Sequence, residues 1–305
     1  DEMTIIPAPS TFSLACARLG WSLSAVETLS LCGRPPAILQ AYLYPGAKLL
    51  ILSEGKRTPG TVSEILTQRG FGQSSMTVLE HLGGGQERLV SGLALTWAET
   101  DLAELNTIAV ECIAEPGTIV RPRTPGLPDD AFSHDGQLTK REVRAMTLSA
   151  LAPLPGELLW DVGAGCGSIA IEWMRSHPRC SAIAIEKMRS HYIAENASAL
   201  GTPYLQIIEG TAPTALKDLP PPDAIFIGGG LTATDLIETC WTSLNSGGRL
   251  VANAVTLEGE QKLFEWYQQV GGNLTRIGIQ RTEAIGSFLG WKPMVPVTQW
   301  SVVKP

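Results

Sequence analysis

The chain has 305 residues, 30 acidic and 23 basic side chains, a net charge of −7 and a pI near 5.2. This balance, without blocks of Lys or Arg, argues against nucleic acid or an anionic membrane as a partner. No apolar run is long enough to span a bilayer, and an apolar fraction of 44% is ample for packed cores. The length predicts about two domains.

Six cysteines and four histidines are spread along the chain without the spacing of a metal site. We therefore predict no metal, and we interpret the cysteines as reduced thiols of a cytoplasmic protein. No secretory signal pattern precedes the first apolar run. That run begins almost at Asp1, so we expect the sequence to start inside a domain.

The first block predicts strands that alternate with helices. The predicted strands are residues 4–6, 48–53, 76–79 and 107–112. One amphipathic helix is predicted to stop at Gly20, and another to begin with Thr58 as its N-cap before Pro59. This alternation predicts a largely parallel sheet.

A segment rich in proline and glycine, residues 116–135, is predicted to be a linker. The predicted domains are therefore residues 1–115 and 136–305. The second block opens with a capping box at residues 139–142, which predicts a helix with Thr139 as its N-cap.

The second block predicts five strands separated by helices and followed by two longer strands. The five are residues 158–162, 181–185, 205–208, 224–227 and 249–254, and the longer two are residues 274–279 and 297–303. Alternating strands closed by a C-terminal β-hairpin are typical of a class I methyltransferase, an α/β fold of Rossmann type.

A glycine-rich turn follows the first strand of this block. Gly163, Gly165 and Gly167 have the spacing G-x-G-x-G, and a predicted helix begins directly afterwards. Glycines at such a turn let the backbone approach a ligand that a Cβ would block. Because dinucleotide-binding loops have the spacing G-x-G-x-x-G, we interpret this turn as the site of an adenosyl sulfonium ligand. A turn without a ligand is the alternative.

Ligands of open α/β sheets lie beyond the carboxyl ends of the strands, so the residues that follow the other strands are candidates as well. Glu186 lies 23 residues after Gly163, where an acid can accept hydrogen bonds from ribose hydroxyls. A surface acid at a strand end is the alternative. Asp161 precedes the glycines, and we interpret it as organising the loop.

The next two strand ends are candidates for the acceptor of the methyl group. The triplet Gly228, Gly229 and Gly230 is expected where the transferred methyl points, and it leaves room for a flat acceptor. No Asn/Asp-Pro-Pro-aromatic clamp is present, which favours a carbon acceptor over an amine; a flexible loop is the alternative. Asn253 and Glu258 either contact the substrate or cap the next helix. Methyl transfer from a sulfonium mainly needs alignment and desolvation, and the sequence shows no general base.

Several runs of the chain resemble known proteins. Residues 134–145, 159–173 and 253–258 resemble the precorrin-6Y C5,15-methyltransferase (decarboxylating) family of cobalamin biosynthesis. Residues 6–15, 30–35 and 77–84 are similar to the C-terminal half of a tetrapyrrole methylase module. The resemblance implies a partial tetrapyrrole-methylase α/β subdomain followed by a class I methyltransferase domain. The glycine-rich first subdomain of the methylase module is not in this sequence, so we expect only half of that donor site, with residues 7–11 as its remnant.

The resemblance implies that S-adenosyl-L-methionine is the methyl donor and that a precorrin is methylated at C5 and C15 with loss of carbon dioxide from the C12 acetate. The second module would act at C15 and decarboxylate, and the first would act at C5. The implied donor contacts are Thr139, Gly163, Ala164, Gly165, Cys166, Gly167, Glu186 and Ala212. His134 is expected near the macrocycle, and a homo-oligomer is expected.

Two other functions stay open at this point. One is a class I methyltransferase that acts on protein or RNA, which the acidic pI and the open glycine triplet disfavour. The other is a non-catalytic scaffold that binds S-adenosyl-L-methionine without turnover.

Overall fold

The computed structural model describes residues 3–305. The chain divides into two compact units between Pro122 and Arg123, and each unit has its own sheet and its own apolar core. None of the helices described has both the length and the apolar surface needed to cross a bilayer.

Within residues 3–122, the first unit contains two α-helices and a five-stranded sheet. The helices are α1 (Thr11–Leu19) and α2 (Thr58–Gln68), and the strands are β1 (Glu27–Ser30), β2 (Lys48–Leu52), β3 (Ser75–Glu80), β4 (Arg88–Leu93) and β5 (Asn106–Glu111). The strand order is β1-β2-β5-β3-β4, with β1 and β2 parallel and the other three pairs antiparallel. The prediction of a largely parallel sheet is therefore wrong for this unit.

Whether two strands of this sheet are parallel or antiparallel depends on which strands lie side by side. The alternation of predicted strands and helices along the chain does not determine that pairing. The loop of residues 81–87 joins β3 to β4 as an antiparallel hairpin, and β5 lies antiparallel to both β2 and β3. Strands β1 and β4 were not predicted. The predicted strand at residues 4–6 is also wrong, since this segment has no strand partner and exposes Ile5 and Ile6.

The end of α1 and the start of α2 differ in how well the sequence predicts them. Helix α1 stops at Gly20, whose φ of 67° is left-handed, as predicted. Helix α2 begins at Thr58 itself, and Arg57 is its N-cap. The Thr58 hydroxyl accepts a hydrogen bond from the Gly55 N–H at 3.2 Å, so the predicted capping role of Thr58 is wrong.

The second unit contains five helices, a seven-stranded sheet and a separate hairpin. The helices are α3 (Arg141–Leu151), α4 (Ser168–Ser176), α5 (Ser190–Ala199), α6 (Leu236–Ser243) and α7 (Leu257–Val270). The strands are β6 (Leu158–Val162), β7 (Ser181–Glu186), β8 (Gln206–Glu209), β9 (Ala224–Ile227), β10 (Arg249–Ala254), β11 (Asn273–Ile277), β12 (Gln280–Ile285), β13 (Phe288–Pro293) and β14 (Val297–Val303).

The sheet of the second unit has the predicted class I arrangement. The strand order is β11-β14-β10-β9-β6-β7-β8. Strands β6 to β10 are parallel, and β14 lies antiparallel between β10 and β11. Buried apolar side chains cover both faces of the sheet, with Trp173 and Phe226 in one cluster and Trp160 and Trp300 in the other. This α/β architecture brings the carboxyl ends of the parallel strands to one edge.

Helix α3 starts differently from the prediction. Its N-cap is Lys140, whose side chain makes no capping hydrogen bond, and Thr139 lies one residue earlier. The Glu142 carboxylate faces Arg281 of β12 at 2.6 Å instead of reaching back to the helix start. The predicted capping box is therefore wrong, because an ion pair from outside the helix uses its acid.

Part of the predicted linker belongs to the second unit. Leu127 and Phe132 are buried in its core, and the N–H groups of Gly126 and Leu127 donate to the Glu172 carboxylate at 2.6 and 3.0 Å. The second unit therefore begins at Arg123 and not at Gly136. Composition alone did not reveal these contacts, because proline and glycine mark turns whether or not the turns pack on a domain.

Candidate active site

A cavity of about 430 Å³ lies at the carboxyl ends of strands β6, β7, β8 and β9. Its wall includes seven of the eight predicted donor contacts, namely Thr139, Gly163, Ala164, Gly165, Cys166, Glu186 and Ala212, together with Gly228, Gly229 and Gly230. The eighth, Gly167, is the N-cap of α4 and is not part of the wall. The cavity therefore brings together residues from four separate strand ends.

The conformation of the glycine-rich turn explains its composition. Gly163, Gly165 and Gly167 have φ values of 72°, 59° and 81°, which side chains rarely adopt. A Cβ on Gly163 would lie 2.8 Å from the Gly229 nitrogen, so this residue lets two loops meet. A Cβ on Gly165 would have its nearest neighbour, the Gln137 carbonyl oxygen, at 3.5 Å. The space in front of Gly165 is thus left to the cavity.

Glu186 is held in a fixed orientation at the end of β7. Its Oε2 accepts a hydrogen bond from the Gly165 N–H at 2.8 Å, and its Oε1 accepts one from the Met188 N–H at 3.0 Å. The residue is 7% exposed and lines the cavity. A carboxylate oxygen has lone pairs left after one such bond, so Glu186 can accept further hydrogen bonds from a ligand's hydroxyl groups.

Asp161 lies below the turn and outside the cavity wall. Its Oδ2 accepts a hydrogen bond from the Ala170 N–H in the first turn of α4 at 3.0 Å. Burial, opposed by the Ala170 hydrogen bond and helped by the nearby Glu186 charge, raises the pKa of Asp161 to about 7. This contact ties the turn to the helix, which agrees with a loop-organising role.

Cys166 contributes to the cavity wall as a neutral thiol. Burial raises the pKa of Cys166 to about 11, so the thiolate is not formed at neutral pH. Its carbonyl oxygen accepts a hydrogen bond from the Asn196 amide of α5 at 3.0 Å. The residue therefore provides shape and backbone contacts and not a nucleophile.

A second cavity of about 640 Å³ adjoins the first. The two cavities share Leu138 and Thr139 as a common wall. The other residues that line it come from the start of α3, from β10, from the hairpin of β12 and β13 with the residue before it, and from residues 294–297. The buried Arg144 guanidinium holds the backbone of this shared wall in place. It donates a hydrogen bond to the Thr139 carbonyl oxygen and pairs with Glu172 at 2.6 Å.

Asn253 faces the second cavity with its amide already oriented. Its Nδ2 donates to the Thr147 hydroxyl at 3.0 Å, and its Oδ1 accepts from the Gln299 amide at 3.0 Å. Thr256 is the N-cap of α7 and accepts from the Gly259 N–H, so neither Asn253 nor Glu258 caps that helix.

Two residues that were predicted to contact the methyl acceptor lie outside the walls of both cavities. Glu258 is exposed in the first turn of α7. The His134 Nδ1 accepts a hydrogen bond from the Gly136 N–H at 2.9 Å within a turn. Neither residue is in the walls of the two cavities.

The hairpin that forms one side of the second cavity lies between the predicted strands at residues 274–279 and 297–303, where we predict only a connecting loop. Strands β12 and β13 pair across the two residues Gly286 and Ser287, and Gly286 has a φ of 60°. A two-residue loop that begins with glycine between runs of β-forming residues is a hairpin signal, which was present in the sequence. Arg281 and Lys292, both in the cavity wall, were missed for this reason.

The first unit has a cavity of its own, of about 250 Å³. Its wall includes Thr11, Cys32, Ser53, His81 and Asn106. Within residues 3–305, no group of three or more His, Cys, Asp or Glu side chains is placed to hold a metal ion.

Comparison with known proteins identifies the family. A family model described as "Precorrin methyltransferase domain" matches residues 130–304. The chain is 48% identical over 305 residues to a precorrin-6Y C(5,15)-methyltransferase [decarboxylating] of Sinorhizobium sp., a match that covers 99% of this chain and 74% of that protein. It is 44% identical over 309 residues to the protein of the same name from Mycobacterium tuberculosis, covering 100% of this chain and 76% of the relative.

Solved structures agree with these matches. The C-terminal domain of precorrin-6Y C5,15-methyltransferase from Rhodobacter capsulatus is 45% identical with a TM-score of 0.57, over 60% of this chain and 100% of that one. The precorrin 8W decarboxylase of Methanobacterium thermoautotrophicum is 25% identical with a TM-score of 0.52, over 57% of this chain and 98% of that one. The chain therefore belongs to the precorrin-6Y C5,15-methyltransferase (decarboxylating) family.

Proposed function

We propose that the second unit methylates C15 of a precorrin-6 macrocycle and removes carbon dioxide from its C12 acetate, with S-adenosyl-L-methionine as donor, in cobalamin biosynthesis. The observation that carries this proposal is the pair of adjoining cavities. The glycine-rich turn and Glu186 line the smaller one, and the shared wall at Leu138 and Thr139 separates it from a larger one. A donor and an acceptor can thus lie side by side.

The smaller cavity fits the methyl donor. Glu186 is placed to accept hydrogen bonds from the ribose hydroxyls, and Gly165 leaves the backbone accessible where a side chain would intrude. Thr139, Ala164, Cys166 and Ala212 complete the proposed contacts. Gly167 lets the turn lie close to α5, because a Cβ at this position would be 2.8 Å from the Ile193 side chain. The bound donor supplies an electrophilic methyl group. The protein supplies alignment and exclusion of water.

The larger cavity fits the acceptor. Its volume exceeds that of the donor cavity, and Asn253 presents an oriented amide to it. Gly228, Gly229 and Gly230 line the donor cavity beside Leu236, where we propose that they leave room for a flat substrate. For His134 and Glu258, a role in acceptor binding is supported by the family resemblance alone.

We propose that the first unit is the C-terminal subdomain of a tetrapyrrole methylase module that acts at C5. The cavity lined by Thr11 and His81 supports a partial ligand site in this unit. We also propose a cytoplasmic homo-oligomer. Large exposed side chains on the hairpin, Phe288, Leu289 and Trp291, support association through this element.

Turnover of a precorrin-6 substrate with methyl-labelled S-adenosyl-L-methionine tests the function. We expect label in the tetrapyrrole and release of carbon dioxide, both followed by mass spectrometry. Donor binding without any change in the mass of the tetrapyrrole would contradict the proposal and favour a non-catalytic scaffold. Label in the protein or RNA of a cell lysate, with none in the tetrapyrrole, would favour the macromolecular methyltransferase.

A further inference from the structure

The larger cavity has a charge opposite to that of the chain as a whole. Its wall contains three basic side chains, Lys140, Arg281 and Lys292, and one acidic side chain, Glu283. The complete chain has 30 acidic and 23 basic residues. A local excess of cations in an acidic protein, around a mostly apolar cavity, is suited to a large apolar ligand that carries anionic groups.

The Arg281 charge is paired with carboxylates of the protein itself. Its guanidinium donates to both Glu142 oxygens, at 2.6 and 3.3 Å, and to Asp129 Oδ2 at 3.0 Å. Asp129 in turn accepts from the Arg141 N–H at 2.9 Å. These contacts attach β12 to the start of α3, so Arg281 fixes the position of the hairpin beside the cavity.

Lys292 is the residue directly opposite Arg281 in the hairpin. Two like charges at opposite positions of antiparallel strands repel each other, so this arrangement requires anions nearby. The partner of Lys292 is Glu283, at 2.8 Å, and the two side chains are 65% and 54% exposed. Such an exposed pair is weak, and a ligand carboxylate can replace Glu283 at little cost.

Lys140 has no carboxylate partner within residues 3–305. It is half-buried, it directly follows the shared wall residue Thr139, and it lines only the larger cavity. Its side chain makes no capping hydrogen bond to α3. A cation held at this place without a counter-charge is available to an anionic ligand.

We propose that Lys140 and Lys292 bind carboxylate groups of the acceptor, and that Arg281 is a positioning residue that holds Lys292 at the cavity. This inference rests on the proposed function, in which the acceptor carries at least an acetate side chain. Lys140 stands next to the donor side and Lys292 on the hairpin side. Two contacts from different elements fix the orientation of a flat acceptor better than one.

The test compares Lys140→Gln, Lys292→Gln and the double variant with Lys262→Gln in the full chain. Lys262 is a matched control, because it also pairs with one partly exposed glutamate at 2.8 Å, on α7 and away from this cavity. We expect the KM for the precorrin-6 substrate to rise about 2- to 5-fold in each single variant, and about 10-fold in the double variant. The Kd for S-adenosyl-L-methionine, measured by calorimetry, and kcat stay unchanged.

The salt dependence and a porphyrin probe provide independent readouts. Added salt raises the KM less in the double variant than in the original protein, because fewer charge contacts are left to screen. Uroporphyrin, which carries more carboxylates than coproporphyrin, is expected to bind the original protein more tightly by fluorescence quenching. The difference between the two probes should shrink in the double variant.

The outcomes separate this inference from the proposed function. Normal turnover with an unchanged KM in the double variant overturns the inference and leaves the function standing. A KM that rises equally in Lys262→Gln also overturns it, because the effect then comes from net charge. If the original protein binds the donor and leaves the precorrin unchanged, the proposed function fails instead.

Discussion

Glu186 is the side chain on which donor recognition depends most. Two backbone N–H groups hold its carboxylate in the cavity wall, so it needs no rearrangement to accept hydrogen bonds from a ligand. Hydrogen bonds to a charged acceptor contribute more than those to a neutral one, by about 1 kcal/mol or more. The change Glu186→Gln keeps the size of the side chain, removes its charge, and replaces one of the two acceptor oxygens with an amide nitrogen that only donates.

We expect Glu186→Gln to raise the Kd for S-adenosyl-L-methionine about 10-fold, measured by calorimetry. Glu209→Gln is the matched control, because Glu209 ends the neighbouring strand β8 and does not line the cavity. Equal Kd values for the Glu186 variant and the original protein would show that the donor's sugar binds elsewhere.

Asp161 makes the stability of the second unit depend on pH. Because its pKa is raised from 3.8 to about 7 in the folded state, the folded protein holds a proton that the unfolded chain releases in this interval. The protonated Asp161 therefore stabilises the folded state fully below pH 3.8, and this contribution to the free energy of unfolding is lost as the pH rises through about 7. We expect Asp161→Asn to gain stability relative to the original protein as the pH increases over that range, measured by urea unfolding. A pH-independent difference would contradict the buried, protonated state.

At the scale of elements, the hairpin of β12 and β13 closes one side of the acceptor cavity. A two-stranded ribbon is marginally stable by itself, and its attachment to α3 depends on the contacts of Arg281 with Glu142 and Asp129. We expect Arg281→Gln to increase amide hydrogen exchange in residues 280–293 and to raise the KM for the acceptor. The Kd for the donor should stay unchanged; unchanged exchange in the hairpin would contradict this role.

The elements differ in how far the sequence predicts them, for physical reasons. Strands β6 to β10 are largely apolar runs, and β6 to β9 end at a glycine or an acidic residue, so the positions of the five strands could be predicted to within a residue or two. The glycine-rich turn and Glu186 follow from such strand ends. By contrast, the antiparallel sheet of the first unit depends on long-range pairing. The start of α3 depends on an ion pair between Glu142 and Arg281, which are 139 residues apart.

At the scale of the molecule, the second unit has a complete core and both cavities of the proposed reaction. We expect residues 123–305, expressed alone, to fold and to bind S-adenosyl-L-methionine with the Kd of the full chain. A fragment of residues 136–305 should be less stable in thermal unfolding, because it lacks the buried Leu127 and Phe132 and leaves Glu172 without two of its hydrogen bonds. Equal melting temperatures for the two fragments would contradict the boundary at Arg123.

The central claim is that a donor and an acceptor meet across the wall formed by Leu138 and Thr139. A crystal structure of the protein with S-adenosylhomocysteine tests it most directly. We predict that the ribose hydroxyls bind the Glu186 carboxylate and that the sulfur faces the larger cavity. A ligand bound outside the glycine-rich turn, or one whose sulfur points away from the larger cavity, would contradict the account.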